Sequence, residues 1–138
     1  MISDCAFVRL ENGLRLAYVE QGSRDGVAII LLHGYSDTHR SFDLMRPFLP
    51  RAWRTIAVTQ RGHGLSDKPE SGYAMRDFAG DVPQLLDALG IERAVLAKLG
   101  DLGPEFDVVE PVAVVGRIGP LAVDDVADAV HLEQVDVQ

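Results

Sequence analysis

The stretch His33-Gly34-Tyr35 directly follows an apolar run, VAIILL, at residues 27–32. A run without polar alternation is typical of a strand that is covered on both faces, as in a parallel sheet. A strand that stops at His-Gly brings backbone N–H groups and an imidazole to its carboxyl end, where open α/β sheets bind their ligands. We therefore expect residues 33–35 to serve a reaction centre.

A second polar stretch, RGHGLSD at residues 61–67, follows another apolar run, TIAV at residues 55–58. Its glycines permit sharp turns, and its polar side chains are expected to tie the loop down by hydrogen bonds. A Gly-x-Gly after a strand can also indicate phosphate binding. Here a third glycine in register and a P-loop lysine are both missing, so phosphate is the poorer interpretation.

The remaining elements would position these two loops. Asn12-Gly13 lies between two alternating segments, which predicts an N-terminal β-hairpin. Apolar residues at helical spacing predict helices over 41–49 and 73–89, the second ending at Gly90. A third buried strand begins at Ala94. This order predicts an α/β fold with a mainly parallel sheet flanked by helices.

Three pieces of the chain together resemble the α/β-hydrolase fold family: the strand ending in His33-Gly34-Tyr35, the segment TIAVTQRGHGLSDKP, and the segment GYAMRDFAGDVPQLLDALGIERAVL. The resemblance covers residues 10–97 and only about the first third of such a hydrolase. It implies an incomplete α/β-hydrolase-like core and cofactor-free hydrolysis of a small ester, lactone or related substrate. By the same resemblance, the N–H of Tyr35 donates to the oxyanion, Gly34 lets the backbone come close, and His33 orients the loop.

The nucleophile of this family lies in a Gly-x-Ser-x-Gly elbow, which should fall near residue 100. The sequence there is VLAKLGDLGPEF, and no serine or threonine follows Ser71. Some relatives, including haloalkane dehalogenases and epoxide hydrolases, use aspartate instead, which makes Asp101 a candidate nucleophile; an ordinary loop residue is the simpler interpretation. His131 is the one histidine after residue 63 and the candidate base, although a solvated acidic helix with one histidine explains it more simply.

The composition changes near residue 98. Residues 1–98 hold 12 basic and 12 acidic side chains, whereas residues 99–138 hold nine acidic side chains, ten valines and a single arginine. We therefore divide the chain into an N-terminal portion of a hydrolase domain, 1–98, and an acidic Val/Asp-rich tail, 99–138. With the elbow missing, we expect a truncated and catalytically impaired hydrolase. The alternatives are an Asp101-dependent haloalkane or epoxide hydrolase and a non-catalytic binding protein.

Partners and location follow from the same data. A net charge of −8 argues against nucleic acid, and no apolar run is long enough to span a membrane. A single cysteine, Cys5, excludes an internal disulfide and favours a cytoplasmic protein. No histidine pair has metal-ligand spacing, and no cofactor is expected. We expect a small-molecule substrate if the chain is active, and self-association through the sheet edge left exposed after the third core strand.

Overall fold

The computed structural model of the chain describes residues 5–34, 36–99 and 109–116. They form one six-stranded sheet, one α-helix and two short 3-10 turns. The strands are β1 (Ala6–Arg9), β2 (Arg15–Gln21), β3 (Ala28–Leu32), β4 (Arg54–Val58), β5 (Arg93–Leu99) and β6 (Val109–Gly116). The helix is α1 (Met75–Ala88), and the 3-10 turns cover His39–Phe42 and Arg46–Phe48.

The strand order is β1-β2-β4-β3-β5-β6. The centre of the sheet, β4-β3-β5, is parallel, and the pairs β1-β2, β2-β4 and β5-β6 are antiparallel. The predicted α/β fold with a parallel core and an N-terminal hairpin is therefore confirmed. As a whole the sheet is mixed, because β2 and β6 run opposite to the three central strands.

The hairpin turns where the Asn-Gly pair predicted it. Gly13 has a φ of 91°, and the Asn12 side chain accepts a hydrogen bond from the N–H of Leu14. Leu10 and Leu14 close a three-residue loop through the N–H of Leu10 and the carbonyl of Leu14 (2.8 Å). A glycine with positive φ at the third loop position is the usual way to join strands by three residues.

The helix α1 ends as the sequence indicated. Gly90 has a φ of 68°, its N–H donates to Asp87, and the N–H of Ile91 donates to Leu86. These two bonds form a Schellman motif, which satisfies carbonyls that the helix leaves unpaired. Leu86 and Ile91 are both buried in the core between α1 and the sheet.

The helix predicted over 41–49 is absent, and the two 3-10 turns take its place. Pro47 lacks an N–H group, so it cannot make the α-helical bond back to residue 43. The N–H of Leu49 instead donates to Arg46, three residues earlier (3.1 Å). The apolar spacing is still used in part: Phe42 is buried and Met45 packs on the same cluster, while Phe48 is exposed.

The strand β6 contains Pro111, which has no N–H group to donate to a neighbouring strand. The structure accommodates the proline at an irregularity in the pairing, where the register shifts between Leu96 and Ala97. β6 covers the edge of β5, the edge on which the expectation of self-association rested. Self-association stays a prediction. The domain boundary at residue 98 also stays a prediction.

The core has one layer on each face of the sheet. Ile30 packs in the layer beneath α1, and its neighbours Ile29 and Leu31 pack in the opposite layer with Phe42. Both faces of β3 are therefore covered, as the unbroken apolar run predicted.

Candidate functional site

The carboxyl ends of β3 and β4 bring the two polar stretches together. In the parallel pairing of these strands, Leu32 lies opposite Val58. His33 and Gly34 therefore leave the sheet beside the loop of residues 59–67, as expected for neighbouring parallel strands.

His33 is 5% exposed, and both of its ring nitrogens are engaged. Nε2 accepts the backbone N–H of Gln60 (2.8 Å), which places the proton on Nδ1, 2.8 Å from the carbonyl oxygen of Gly34. Burial lowers the pKa of His33, so the neutral ring is favoured. A neutral imidazole with no free nitrogen suits the orientation of a loop better than general base catalysis.

Gln60 adds a second link between the same two strand ends. Its side-chain amide donates to the backbone carbonyl of His33 (2.8 Å), while its own N–H is bound by the His33 ring. The sequence did not indicate this role for Gln60. The one signal in the sequence is a polar amide two residues after a buried strand.

The loop after β3 contains the one non-glycine residue with positive φ among the described residues, Ser36 (65°). Its N–H donates to Nε2 of His63 (3.3 Å), and Nδ1 of His63 lies 2.8 Å from the carbonyl oxygen of Arg61. The His63 ring meets the His33 ring edge-on at 4.8 Å between centroids and contacts Phe78 at 6.4 Å. The two histidines thus form adjacent links between the two loops.

Of the other predicted site residues, Gly34 alone is described. It is exposed, and a Cβ added to it would meet no atom within 4 Å, so the space beside it is open. Tyr35, Asp101 and His131 lie outside the described residues. Their roles as oxyanion donor, nucleophile and base stay predictions.

The loop that carries His63 is anchored by a buried ion pair. Arg61 is 7% exposed and Asp81 on α1 is 6% exposed. Two bonds join them, Nε to Oδ2 at 2.7 Å and Nη2 to Oδ1 at 2.6 Å. The third nitrogen of the guanidinium, Nη1, donates to the carbonyl of Gly72 (2.9 Å). Hydrogen bonding to Asp81 raises the pKa of Arg61 further above its ordinary value, so the guanidinium stays charged.

Ser66 and Asp67 complete the anchoring, as their polar side chains suggested. The buried Ser66 hydroxyl donates to the carbonyl of Thr59 (2.5 Å) and accepts the N–H of Ala17 (2.8 Å). Asp67 accepts the N–H of Arg15 (2.9 Å). Because the Ser66 hydroxyl is buried and engaged, it cannot act as a nucleophile.

His39 and Thr59 superficially resemble a base and a nucleophile. Nδ1 of His39 lies 2.7 Å from Oγ1 of Thr59, which also accepts the N–H of His39 (3.0 Å). Both residues are buried, and burial lowers the pKa of His39. The Thr59 oxygen is inaccessible to a substrate, so this pair is structural.

An open cleft of about 480 Å³ lies beside Ser36. Aromatic and apolar side chains form most of its wall, and none of the described residues that line it is Asp, Glu, Lys or Arg. The lining residues are Ser36, Gly62, His63, Tyr73, Met75 and Phe78. The Tyr73 hydroxyl donates to the carbonyl of Pro69 (2.5 Å), which fixes the ring over Gly62.

Acidification should destabilise the fold through His33. Because the pKa of this ring is lower in the folded chain than its ordinary value of about 6.5, the unfolded chain binds the proton more readily. The stabilisation is complete above that value and is lost as the pH falls towards the folded-state pKa. Urea unfolding of the wild type and of H33Q at several pH values from 7.5 to 5 measures this.

The comparison with H33Q is needed because His39 titrates with the same sign. We expect the stability advantage of the wild type over H33Q to shrink as the pH falls. An advantage that is constant over this range would contradict a lowered pKa for His33.

No group of three or more potential metal-ligating side chains occurs within the described residues. Within the same residues, no helix has the length and apolar character needed to cross a bilayer.

Comparison with known proteins gives several similar chains. A non-heme chloroperoxidase from Streptomyces lividans is 37% identical over 89 residues, which cover 64% of this chain and 32% of the relative. Epoxide hydrolase 1 from Caenorhabditis elegans is 30% identical over 95 residues, or 67% of this chain and 23% of the relative. A solved structure of an epoxide hydrolase from hot-environment metagenomes superimposes with a TM-score of 0.67 at 32% identity, covering 71% of this chain and 34% of that one.

The chain thus spans about a third or less of the length of these relatives. The family model for the α/β hydrolase fold matches residues 27–97, about half of the chain. This range includes β3, β4, α1 and the two loops described above. The chain belongs to the α/β-hydrolase fold family.

Proposed function

We propose that the chain provides the oxyanion-binding side of a cofactor-free hydrolase site for a small ester, lactone or related carbonyl compound. The observation that carries this proposal is the fixation of His33. Its ring is bound at both nitrogens, so the backbone that follows leaves the carboxyl edge of β3 in one orientation. A fixed backbone donor is what stabilisation of an oxyanion requires.

The cleft beside Ser36 supports a substrate with an uncharged, apolar group. Ligand sites of 300–1,000 Å³ with mostly apolar walls are common for small molecules. The cleft falls in this range, and its described walls include the rings of Tyr73 and Phe78. An apolar acyl or alcohol group in this cleft would lie next to the loop of residues 34–37, which we call the oxyanion loop. A cytoplasmic location stays a prediction from the single cysteine.

The oxyanion donor can be tested by its removal. Proline at residue 35 has no N–H, whereas phenylalanine keeps the N–H and the ring. We expect Y35F to bind butylphosphonate, a tetrahedral anion that resembles the reaction intermediate, as the wild type does. Y35P should bind it roughly tenfold or more weakly, since hydrogen bonds to charged groups contribute about 1.5–3 kcal/mol. Titrations followed at the amide resonances of Gly34 give the affinities. Equal binding by Y35P would exclude the Tyr35 N–H as the donor.

The nucleophile needs a separate test. No serine or threonine follows Ser71, and the buried Ser66 is engaged. We therefore expect the purified 138-residue chain to form no adduct with a fluorophosphonate probe, which labels activated serines. An adduct located by mass spectrometry on any serine of the chain would overturn this expectation.

The second candidate function is hydrolysis of an epoxide or haloalkane with Asp101 as nucleophile. The relatives named epoxide hydrolases favour it. Release of diol or halide by the wild type and its loss in D101N would establish this function. Absence of turnover in both proteins would leave the oxyanion-binding role as the better account.

A further inference from the structure

We infer that His63 is a positioning residue that holds the oxyanion loop in its observed conformation. This inference rests on the proposed function for its meaning, because it concerns the loop that would bind the oxyanion. The hydrogen bond between His63 and Ser36 does not depend on that function. In the structure, Nε2 of His63 accepts a hydrogen bond from the N–H of Ser36 and thereby fixes a turn that serine does not favour by itself.

The turn has a conformation that serine does not favour. The N–H of Asp37 donates to the carbonyl of Gly34 (3.2 Å), which closes a four-residue turn with Ser36 at its third position. The φ of Ser36 is 65°. Positive φ at the third position is characteristic of type II turns, which prefer glycine or asparagine there. Serine needs compensation from its surroundings to remain in this region.

His63 supplies that compensation from a fixed position. Its Nδ1 is bound to the carbonyl of Arg61, and its ring lies between those of His33 and Phe78. Since Nε2 accepts the N–H of Ser36, the ring carries its proton on Nδ1. The ring therefore presents an acceptor to the loop in one orientation.

The hydrogen bonds that fix His63 continue through Arg61 to helix α1. Asp81 on α1 binds the Arg61 guanidinium through two hydrogen bonds, and the Arg61 carbonyl accepts from His63. The positions of α1 and the oxyanion loop are thus connected through Arg61 and His63. Because a bidentate ion pair has a defined geometry, the Arg61–Asp81 pair holds Arg61 in one position relative to α1.

A direct measurement on the wild type tests the inference. In uniformly ¹⁵N-labelled chain, an N–H···N hydrogen bond gives a scalar coupling between its two nitrogens. We expect a coupling between the Ser36 amide nitrogen and Nε2 of His63. The coupling between the Gln60 amide nitrogen and Nε2 of His33 (2.8 Å) is the internal reference and should be larger, because its bond is shorter. A detectable Gln60–His33 coupling without a Ser36–His63 coupling would overturn the inference.

Variants test the consequence for the loop. H63F keeps an aromatic ring between His33 and Phe78 but removes the acceptor, whereas H63Q restores an acceptor without the ring. We expect amide hydrogen exchange at Ser36 to become three- to tenfold faster in H63F, the effect of losing one modest hydrogen bond, and to return towards the wild-type rate in H63Q. F78L, which alters the packing of His63 and keeps its acceptor, is the matched control.

Unchanged exchange at Ser36 in H63F, or equal acceleration in H63F and F78L, would overturn the positioning role. The phosphonate titration separates this result from the proposed function. If H63F accelerates exchange and the wild type binds no phosphonate, His63 positions the loop and the oxyanion-binding proposal is wrong. If the wild type binds phosphonate and H63F leaves exchange unchanged, the proposed function stands and the inference about His63 is wrong.

Discussion

Replacement of Asp81 by alanine should lower the free energy of unfolding by about 3–5 kcal/mol, the usual cost of removing one partner of a buried ion pair. The guanidinium of Arg61 would stay charged and buried, and among the described hydrogen-bond partners of its side chain only the Gly72 carbonyl would remain. For a domain whose total stability is of order 5–15 kcal/mol, such a loss brings the chain close to unfolding. Urea denaturation followed by circular dichroism measures it.

The matched control is the surface pair formed by the exposed Asp43 and the partly buried Arg46, whose charged atoms lie 3.4 Å apart. Because exposed ion pairs contribute only about 0–1 kcal/mol, D43A should change the stability by no more than that. Similar losses in D81A and D43A would show that burial does not make the Arg61–Asp81 pair special.

Replacement of Phe42 by alanine should cost about 3–5 kcal/mol, since truncation of a buried aromatic residue removes apolar contacts and leaves a cavity. Phe42 is 0% exposed and lies in the core layer opposite α1, with Leu31 and Ala57. Among the described residues, this layer contains fewer buried side chains than the layer beneath α1, so one large side chain carries much of its packing.

Phe48 provides a close control, because it lies in the neighbouring 3-10 turn and is 87% exposed. F48A should alter the free energy of unfolding by about 0.5 kcal/mol or less, as is usual for surface substitutions. Equal losses for F42A and F48A would mean that the segment does not pack on the sheet as described.

The elements of the fold that depend on local pattern could be predicted from the sequence. The apolar run of β3 predicted a strand buried on both faces, and Gly13 and Gly90 marked a hairpin and a helix end. The segment of residues 39–48 could not be predicted as 3-10 turns, because apolar spacing is similar in both kinds of helix. There the missing N–H of Pro47 outweighed the periodicity.

The candidate site could be predicted in part. The motifs placed His33 and His63 at one edge of the sheet, where they are found in contact. The bonds that join the two loops could not be foreseen, since they connect residues 27 positions apart, as in the bonds between Ser36 and His63 and between Gln60 and His33. The partner of Arg61 could not be predicted either. In the sequence Asp81 is only an acidic residue within a predicted helix, and tertiary packing is what buries it against the guanidinium.

The direction of β6 limits how the rest of the chain can take part in chemistry. Gly116 pairs with Arg93, at the amino end of β5, so the polypeptide leaves β6 at the opposite margin from His33. A strand of this length spans about 25 Å. A path from residue 116 to residue 131 could cover about 50 Å when fully extended, which is sufficient for His131 to reach the oxyanion loop. Delivery of that imidazole therefore requires a long return path, and the ordering of that path would cost conformational entropy before any proton is transferred.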